Sequence, residues 1–280
     1  MPFVTTRDML AEAQRASYAV GAFNAENMEM VQAIIAAAEA EKAPVIIQTT
    51  PGTLKYAGPE CFAGLVSRLA KAAAVPVALH LDHGSSYELA EACAREGYTS
   101  LMIDGSKLPF DDNAEMTRRV VDMAGGLPVE AELDTVGGKE DGMEAKPQYT
   151  DPEEAAAFVR LTGISSFAVA IGTAHGVYKG EPKLDLDRLS AVREKVDIPL
   201  VLHGTSGVPE DQVKECIRRG ICKVNYATDL RIAFTAGVKK AIAEQPDSFD
   251  PKKYLAVGRK AVEERVRELI RLLGSSGKAE

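Results

Sequence analysis

Pro76-Val77-Ala78-Leu79-His80-Leu81-Asp82-His83-Gly84 is a short apolar run that ends in an acid, an imidazole and a glycine. Its length and its Pro and Gly punctuation fit a strand over Pro76–Asp82 rather than a helix. Polar chemistry loaded onto the carboxyl end of such a strand is the habit of β/α barrels, whose active sites lie on the rim at the strand C-termini. Comparable runs recur at Val20–Asn24 and Pro44–Thr49, then at Thr99–Asp104, Pro128–Leu133, Ser166–Gly172, Ile198–His203 and Ile221–Asn225. Amphipathic helical patterns separate them, among them Glu26–Glu41, Pro59–Ala74, Asp151–Thr162 and Pro209–Arg219, several opening at Pro or Asp as helix starts do. Strand–helix alternation of this kind specifies a parallel sheet covered by helices. Eight alternations without a solenoid-length repeat favour closure into a (β/α)8 TIM barrel over an open doubly wound sheet. Pro251–Leu273 adds a C-terminal helix, apolar on one face and charged on another, suited to packing on the barrel wall or to dimerisation.

Nothing among the 280 residues reads as a linker, so the expectation is one domain over 1–280. A composition that is 46% hydrophobic and 26% charged supports a sizeable core. The net charge of −8 weighs against nonspecific binding to nucleic acid. It also means that an anionic substrate is held locally, by backbone amides, a metal or a few basic side chains. The start of the chain has no apolar signal core, and no run of about 18 apolar residues occurs, so the expectation is a cytoplasmic protein without membrane contact. Cys61, Cys93, Cys216 and Cys222 form no CxxC pair and read as reduced, mostly buried thiols.

The chain has only four histidines. His83, His175 and His203 each follow a different strand onto the same rim, and His80 lies three residues before His83. Three imidazole nitrogens with an open fourth position are the arrangement of a catalytic zinc. By strand parity His80 faces away from His83, which leaves it to packing or to supporting a ligand. Asp82 adjoins the metal position and suits a general acid/base, the alternative being a carboxylate that only orients a ligand histidine. Asp104 and Glu132 end strands four and five and offer an alternate metal position. Thr135–Gly142 reads as a glycine-hinged loop that closes over a site, or as a plain exposed loop. Gly204-Thr205-Ser206-Gly207 and Asn225-Tyr226-Ala227-Thr228-Asp229 fall where barrels hold phosphate on helix N-termini.

Together with Gly21-Ala22-Phe23-Asn24, Leu101–Ser106, Glu130-Ala131-Glu132-Leu133, the Gly-Gly-Lys-Glu-Asp loop and Gly172–Gly176, these segments resemble the class II, zinc-dependent fructose/tagatose-bisphosphate aldolases over essentially the full length. The resemblance implies retro-aldol cleavage of a ketose 1,6-bisphosphate into dihydroxyacetone phosphate and glyceraldehyde 3-phosphate. It implies zinc on His83, His175 and His203, with Asp104 and Glu132 at a displaced or second zinc position. Asp82 would handle the proton of the C4 hydroxyl and Glu140 the proton at C3. Asn24, Gly176, Gly204, Thr205, Ser206, Asn225, Tyr226, Ala227 and Thr228 would bind the substrate, chiefly its dihydroxyacetone-phosphate end. Thr50 and Arg259 would reach the other phosphate, Arg259 from a neighbouring subunit. A monovalent cation, Na+ or K+, near the phosphate and a homodimer or homotetramer are implied as well.

The chain departs from the family at Thr205, often Ala, at Asp134, often Gly, and at Tyr226, often Val. Ala227 stands where fructose-selective relatives carry Asp or Asn and tagatose-type relatives carry Ala. It favours tagatose bisphosphate, although the Gly-Gly-Lys-Glu-Asp loop is fructose-like. Rival readings are a Schiff-base aldolase using Lys223, a barrel metallohydrolase in which the histidines activate water, and a noncatalytic companion subunit.

Overall fold

The computed structural model describes residues 2–279 except 141, 142, 146, 147, 179 and 181, and describes only the backbone of 139, 140 and 143–145. Its strands are β1 (Val20–Asn24), β2 (Val45–Thr49), β3 (Val77–Gly84), β4 (Ser100–Asp104), β5 (Val129–Glu132), β6 (Gly137–Glu140), β7 (Met143–Ala145), β8 (Ser166–Ala168), β9 (Ala174–His175), β10 (Leu200–Leu202) and β11 (Ile221–Tyr226). Eight of them close a parallel barrel in the order β1-β11-β10-β8-β5-β4-β3-β2. Helices follow the strands in the α/β alternation that the sequence announces, which makes the fold a (β/α)8 TIM barrel with an added C-terminal helix at Pro251–Leu272.

Alternation along each strand sorts side chains into two layers. Phe23, Ile47, Leu79, Leu81, Ile103, Phe167, Leu202 and Val224 belong to the main core, packed against the helices. The residues between them point down the barrel axis, and their character changes along it. At the amino-terminal end Val20, Ala22, Ile46 and Ala78 pack against Met9, Leu10 and Ala13 of helix Thr6–Ala16, which stoppers that mouth. Midway the lining turns polar and fully buried, with Gln48, His80, Ser100, Glu130, Ser166 and Lys223. Asn24, Asp82 and His203 continue it to the carboxyl-terminal rim.

Three departures from the sequence reading have local causes. Helix Thr6–Ala16 was not anticipated, since its few apolar residues make sense only against the barrel mouth. The sixth barrel strand is shorter than expected because Ala170 and Ile171 spend their carbonyls on loops, accepting from Thr150 N–H and Asp185 N–H. The polar stretch after β5 is a hairpin: β6 pairs antiparallel with β7 and parallel with β9. Cys93, Cys216 and Cys222 are buried free thiols and Cys61 is exposed. No helix among the described residues is long and apolar enough to cross a membrane.

The C-terminal helix is tied to helix Met28–Glu41 by Glu41, whose carboxylate accepts from Arg271 at 2.6 Å, Arg267 at 2.8 Å and Ser276 at 3.0 Å. Hydrogen bonds from Arg271, ahead of those from Arg267 and Ser276, outweigh burial and lower its pKa to about 2. A depressed carboxylate stabilises the fold above its unfolded pKa and loses that contribution as pH falls through its folded one. Glu41→Gln should therefore lower unfolding free energy at pH 7 by about 2 kcal/mol in urea titrations. The gap to wild type should close as pH falls from about 4.5 toward 2.

Candidate active site

Asp82 and His83 are neighbours in sequence that would face opposite sides of a regular strand. The strand is not regular there. The β3–β4 register shifts between Leu81 and Gly84, and His83 adopts a left-handed backbone with φ of 49°. A bulge of this kind re-aims a side chain, so that Asp82 keeps its place on the axis while His83 also turns onto the rim. Gly84 closes the bulge against Met102 O, leaving no room for a Cβ.

His83, His175 and His203 converge, with ligand nitrogens within 4.8 Å of one another. His83 Nε2 and His203 Nδ1 lie 2.9 Å apart. The far nitrogen of each ring is engaged by a carboxylate: His83 Nδ1 by Asp104 Oδ2 at 2.9 Å, and His203 Nε2 by Glu130 Oε1 at 2.9 Å. When those far nitrogens carry the protons, the two near ones face each other as bare lone pairs. Burial, with the neighbouring imidazoles, holds His175 and His203 below the ordinary histidine range. Such an arrangement is satisfied by a cation. Four-coordinate zinc with bonds of ~2.0–2.1 Å sets its ligands about 3.3 Å apart, a span that lies between the 2.9 Å separating His83 from His203 and the 4.8 Å within which all three fall, so the residues fit the metal that the sequence suggests.

Glu130 is the anchor beneath this cluster. Its second oxygen accepts from Lys223 Nζ at 2.7 Å, and both side chains are fully buried. Burial pushes the Glu130 carboxyl up, but the Lys223 charge and the His203 hydrogen bond outweigh it and hold it below the ordinary range. Lys223 also reaches His80 Nε2 at 3.2 Å. Burial first, and the Lys223 charge second, push His80 down to about 3, so it is neutral and leaves Nδ1–H for Ser100 Oγ at 2.8 Å. His80 thus stands beneath the site without joining the cluster. Sequence reading gave Glu130 no role, though its two-residue spacing from Glu132 puts both carboxylates on the axis.

Asp82 accepts from Asn24 Nδ2 at 2.8 Å and from Asn225 Nδ2 at 3.1 Å. Asn24 in turn accepts from Gln48 Nε2 at 2.8 Å. Burial alone would raise the Asp82 carboxyl, but the adjoining His83 and His203 imidazoles, the Lys223 ammonium and the Asn24 hydrogen bond leave it lowered, hence a base. Glu132 behaves oppositely: burial and the nearby Asp104 charge raise it well above the carboxylate range, and among the described residues its buried Oε2 has no hydrogen-bond partner. His83, Asp104 and Glu132 form a second convergent set able to take a cation.

A cavity beside Asp82 is lined by Gly176, Gly204, Thr205, Ser206, Ala227 and Thr228. Gly204 has φ of 64° and its Cα abuts Ala174, where a side chain would collide. Tyr178 clamps the two loops, accepting from Ala174 N–H at 2.7 Å and donating to Gly204 O at 2.8 Å. Arg231, which sequence reading passed over, also lines this cavity and is paired with Glu26 at 2.6 Å. A second cavity on the other side of His83 contains Thr50, the N-cap of helix Pro51–Ala57.

Two residues expected at the site have side chains elsewhere. Tyr226 has the parity of Val224, so it points outward and stacks on Phe23 with ring centroids 6.1 Å apart. Arg259 donates to Gln32 Oε1 at 2.8 Å and lines neither of these cavities of its own chain. The Glu140 side chain lies outside the described residues, although its backbone belongs to β6.

A closed barrel that concentrates imidazoles, a buried base and an anion-sized cavity on its carboxyl-terminal rim has the build of an enzyme. The chain belongs to the class II fructose-bisphosphate aldolases, whose family model matches residues 4–278, and is accordingly an aldolase, a carbon–carbon lyase. It is similar to the YdjI aldolase of Escherichia coli K12, at 40% identity over 99% of this chain and 100% of that one, with a TM-score of 0.89. A candidate fructose-1,6-bisphosphate aldolase from Coccidioides immitis is 31% identical over 97% and 96%, with a TM-score of 0.90. The fructose-bisphosphate aldolase of Campylobacter jejuni is 26% identical over 99% and 97%, with a TM-score of 0.83.

Removing the charge of Glu130 would leave the Lys223 ammonium buried and unpaired. Glu130→Gln should cost about 3–5 kcal/mol of stability, read as a lowered urea midpoint.

Proposed function

We propose that the chain is a zinc-dependent ketose-1,6-bisphosphate aldolase that cleaves tagatose 1,6-bisphosphate, with fructose 1,6-bisphosphate the alternative, to dihydroxyacetone phosphate and glyceraldehyde 3-phosphate. The observation that carries the metal reading is the facing pair of imidazole nitrogens, each with its other nitrogen tied to a carboxylate. His83, His175 and His203 would hold the zinc, with Asp104 and Glu132 offering the alternate position. When bound, the ion supplies Lewis-acid stabilisation of the negative charge that develops on the triose-phosphate fragment.

The protein's own residues do the rest. The C1 phosphate lies against Gly176, Gly204 to Ser206 and Asn225 to Thr228; among the described residues the Thr205 and Ser206 N–H groups donate to no protein acceptor, which supports an anion there. Asp82, held ionised between Asn24 and Asn225, takes the proton of the C4 hydroxyl as the C3–C4 bond breaks and the aldehyde forms. Glu140 returns a proton to C3. The tagatose preference rests on the resemblance at Ala227, where tagatose-type relatives also carry Ala, in the lining of this cavity. Lys223 has no accessible surface and is engaged by Glu130 and His80, which disfavours a Schiff base. The same reading takes the chain as one cytoplasmic domain that assembles as a homodimer or homotetramer.

A coupled triose-phosphate assay tests it. Chelator should abolish cleavage and zinc restore it, and kcat/KM should be higher for tagatose than for fructose bisphosphate; activity that survives chelation sinks the metal reading, and equal values sink the tagatose preference. Asp82→Asn should lower kcat by about 10²–10⁴-fold.

A further inference from the structure

Between the sixth and seventh barrel strands the backbone ladder stops short of the site. Its last rung runs from Val169 N–H to Val201 O at 3.1 Å, while His175 and His203 lie further along their segments. Above that rung a side chain spans the two segments. The phenol oxygen of Tyr178 accepts from Ala174 N–H at 2.7 Å and donates to Gly204 O at 2.8 Å. Each bonded backbone group adjoins a candidate ligand, since Ala174 precedes His175 and Gly204 follows His203. The ring lies on Gly207, whose φ is 92° and where a Cβ would stand 3.2 Å from it. Gly204 in turn abuts the Ala174 backbone, which a Cβ would meet at 2.8 Å. The loop after His203 therefore cannot shift without carrying the His175 segment with it.

Two ligands act on these segments. Gly176, Gly204, Thr205 and Ser206 line the cavity for the phosphate, and His175 and His203 belong to the metal cluster. An anion orders the 204–207 loop by taking hydrogen bonds from its N–H groups, and a cation orders the same two segments through their imidazoles. Order imposed by the first ligand is not imposed again by the second, which is positive cooperativity. Tyr178 lies on the far side of the loops, lining a separate surface groove with Gly176 and Ser206. It acts through the Ala174 and Gly204 backbones rather than on the substrate.

Resting on the aldolase reading above, we infer that the Tyr178 hydroxyl is a positioning group that couples the phosphate cavity to the metal cluster, so that a phosphate ester on the loops and zinc on the histidines strengthen each other's binding.

Zinc affinity of the metal-free protein is measured by competition with a chromophoric chelator, with and without saturating methyl phosphate, an ester with no second group to reach the metal. In the wild type the ester should lower the zinc dissociation constant about tenfold. Charge attraction between the two ligands persists when the hydroxyl is removed, so the quantity compared is that factor in Tyr178→Phe. This variant keeps the ring on Gly207, and its factor should be at least about threefold smaller. Equal factors in the two proteins, or a bound ester without effect on zinc in the wild type, overturn the coupling. Hydrogen exchange in the zinc-free wild type reads the same link without a variant: methyl phosphate should slow exchange of the Ala174 amide, and an unchanged rate overturns the coupling as well. A wild type that binds no zinc, or no methyl phosphate by calorimetry, overturns the aldolase reading instead.

Discussion

The Glu130 carboxylate, fully buried on the barrel axis, is the constraint on which the site depends. One oxygen answers the Lys223 ammonium and the other fixes the His203 ring. A carboxylate in that position needs a cation, and a lysine in that position needs an anion, since neither tolerates burial alone. Their pairing leaves one hydrogen-bonding oxygen to set which nitrogen of His203 faces the rim. The tautomer of a candidate ligand is thereby decided from below, by strands β5 and β11, before anything binds from above. His83 is handled in the same way by Asp104.

The second constraint is geometric. Regular alternation would give the rim either Asp82 or His83, and the fold has both because one residue takes a left-handed backbone at a register shift. Bulges near active sites serve this purpose in other sheets. Gly138 makes a comparable accommodation in the hairpin, where a side chain would run into the His175 backbone. The β6–β9 pairing therefore sets the depth of the segment that carries His175.

Much of this was legible in the sequence, for physical reasons. Period-two burial and strand-end polarity carried the barrel and placed His83, His175 and His203 on one rim. Parity also put His80 on the same side as Asp82, but not on the side away from His83, which the bulge turns onto that side as well. The bulge that reconciles Asp82 with His83 was not legible, because a positive φ at a histidine leaves no compositional mark. The role of Glu130 was hidden for another reason: its partners Lys223 and His203 come from β11 and the end of β10, and only closure of the barrel brings them together. Tyr226 illustrates the converse, since its place in a motif suggested contact with substrate while strand alternation turns it into the helix layer.

The buried side chains that fill the barrel axis, with helix Thr6–Ala16 packed beneath them against Val20, Ala22, Ile46 and Ala78, make the barrel a cup rather than a tube. Reactants that enter over the lip leave over it too, and two fragments born of one sugar share a single doorway. That doorway is bordered by the loops of the rim, while the floor beneath is closed by packed side chains.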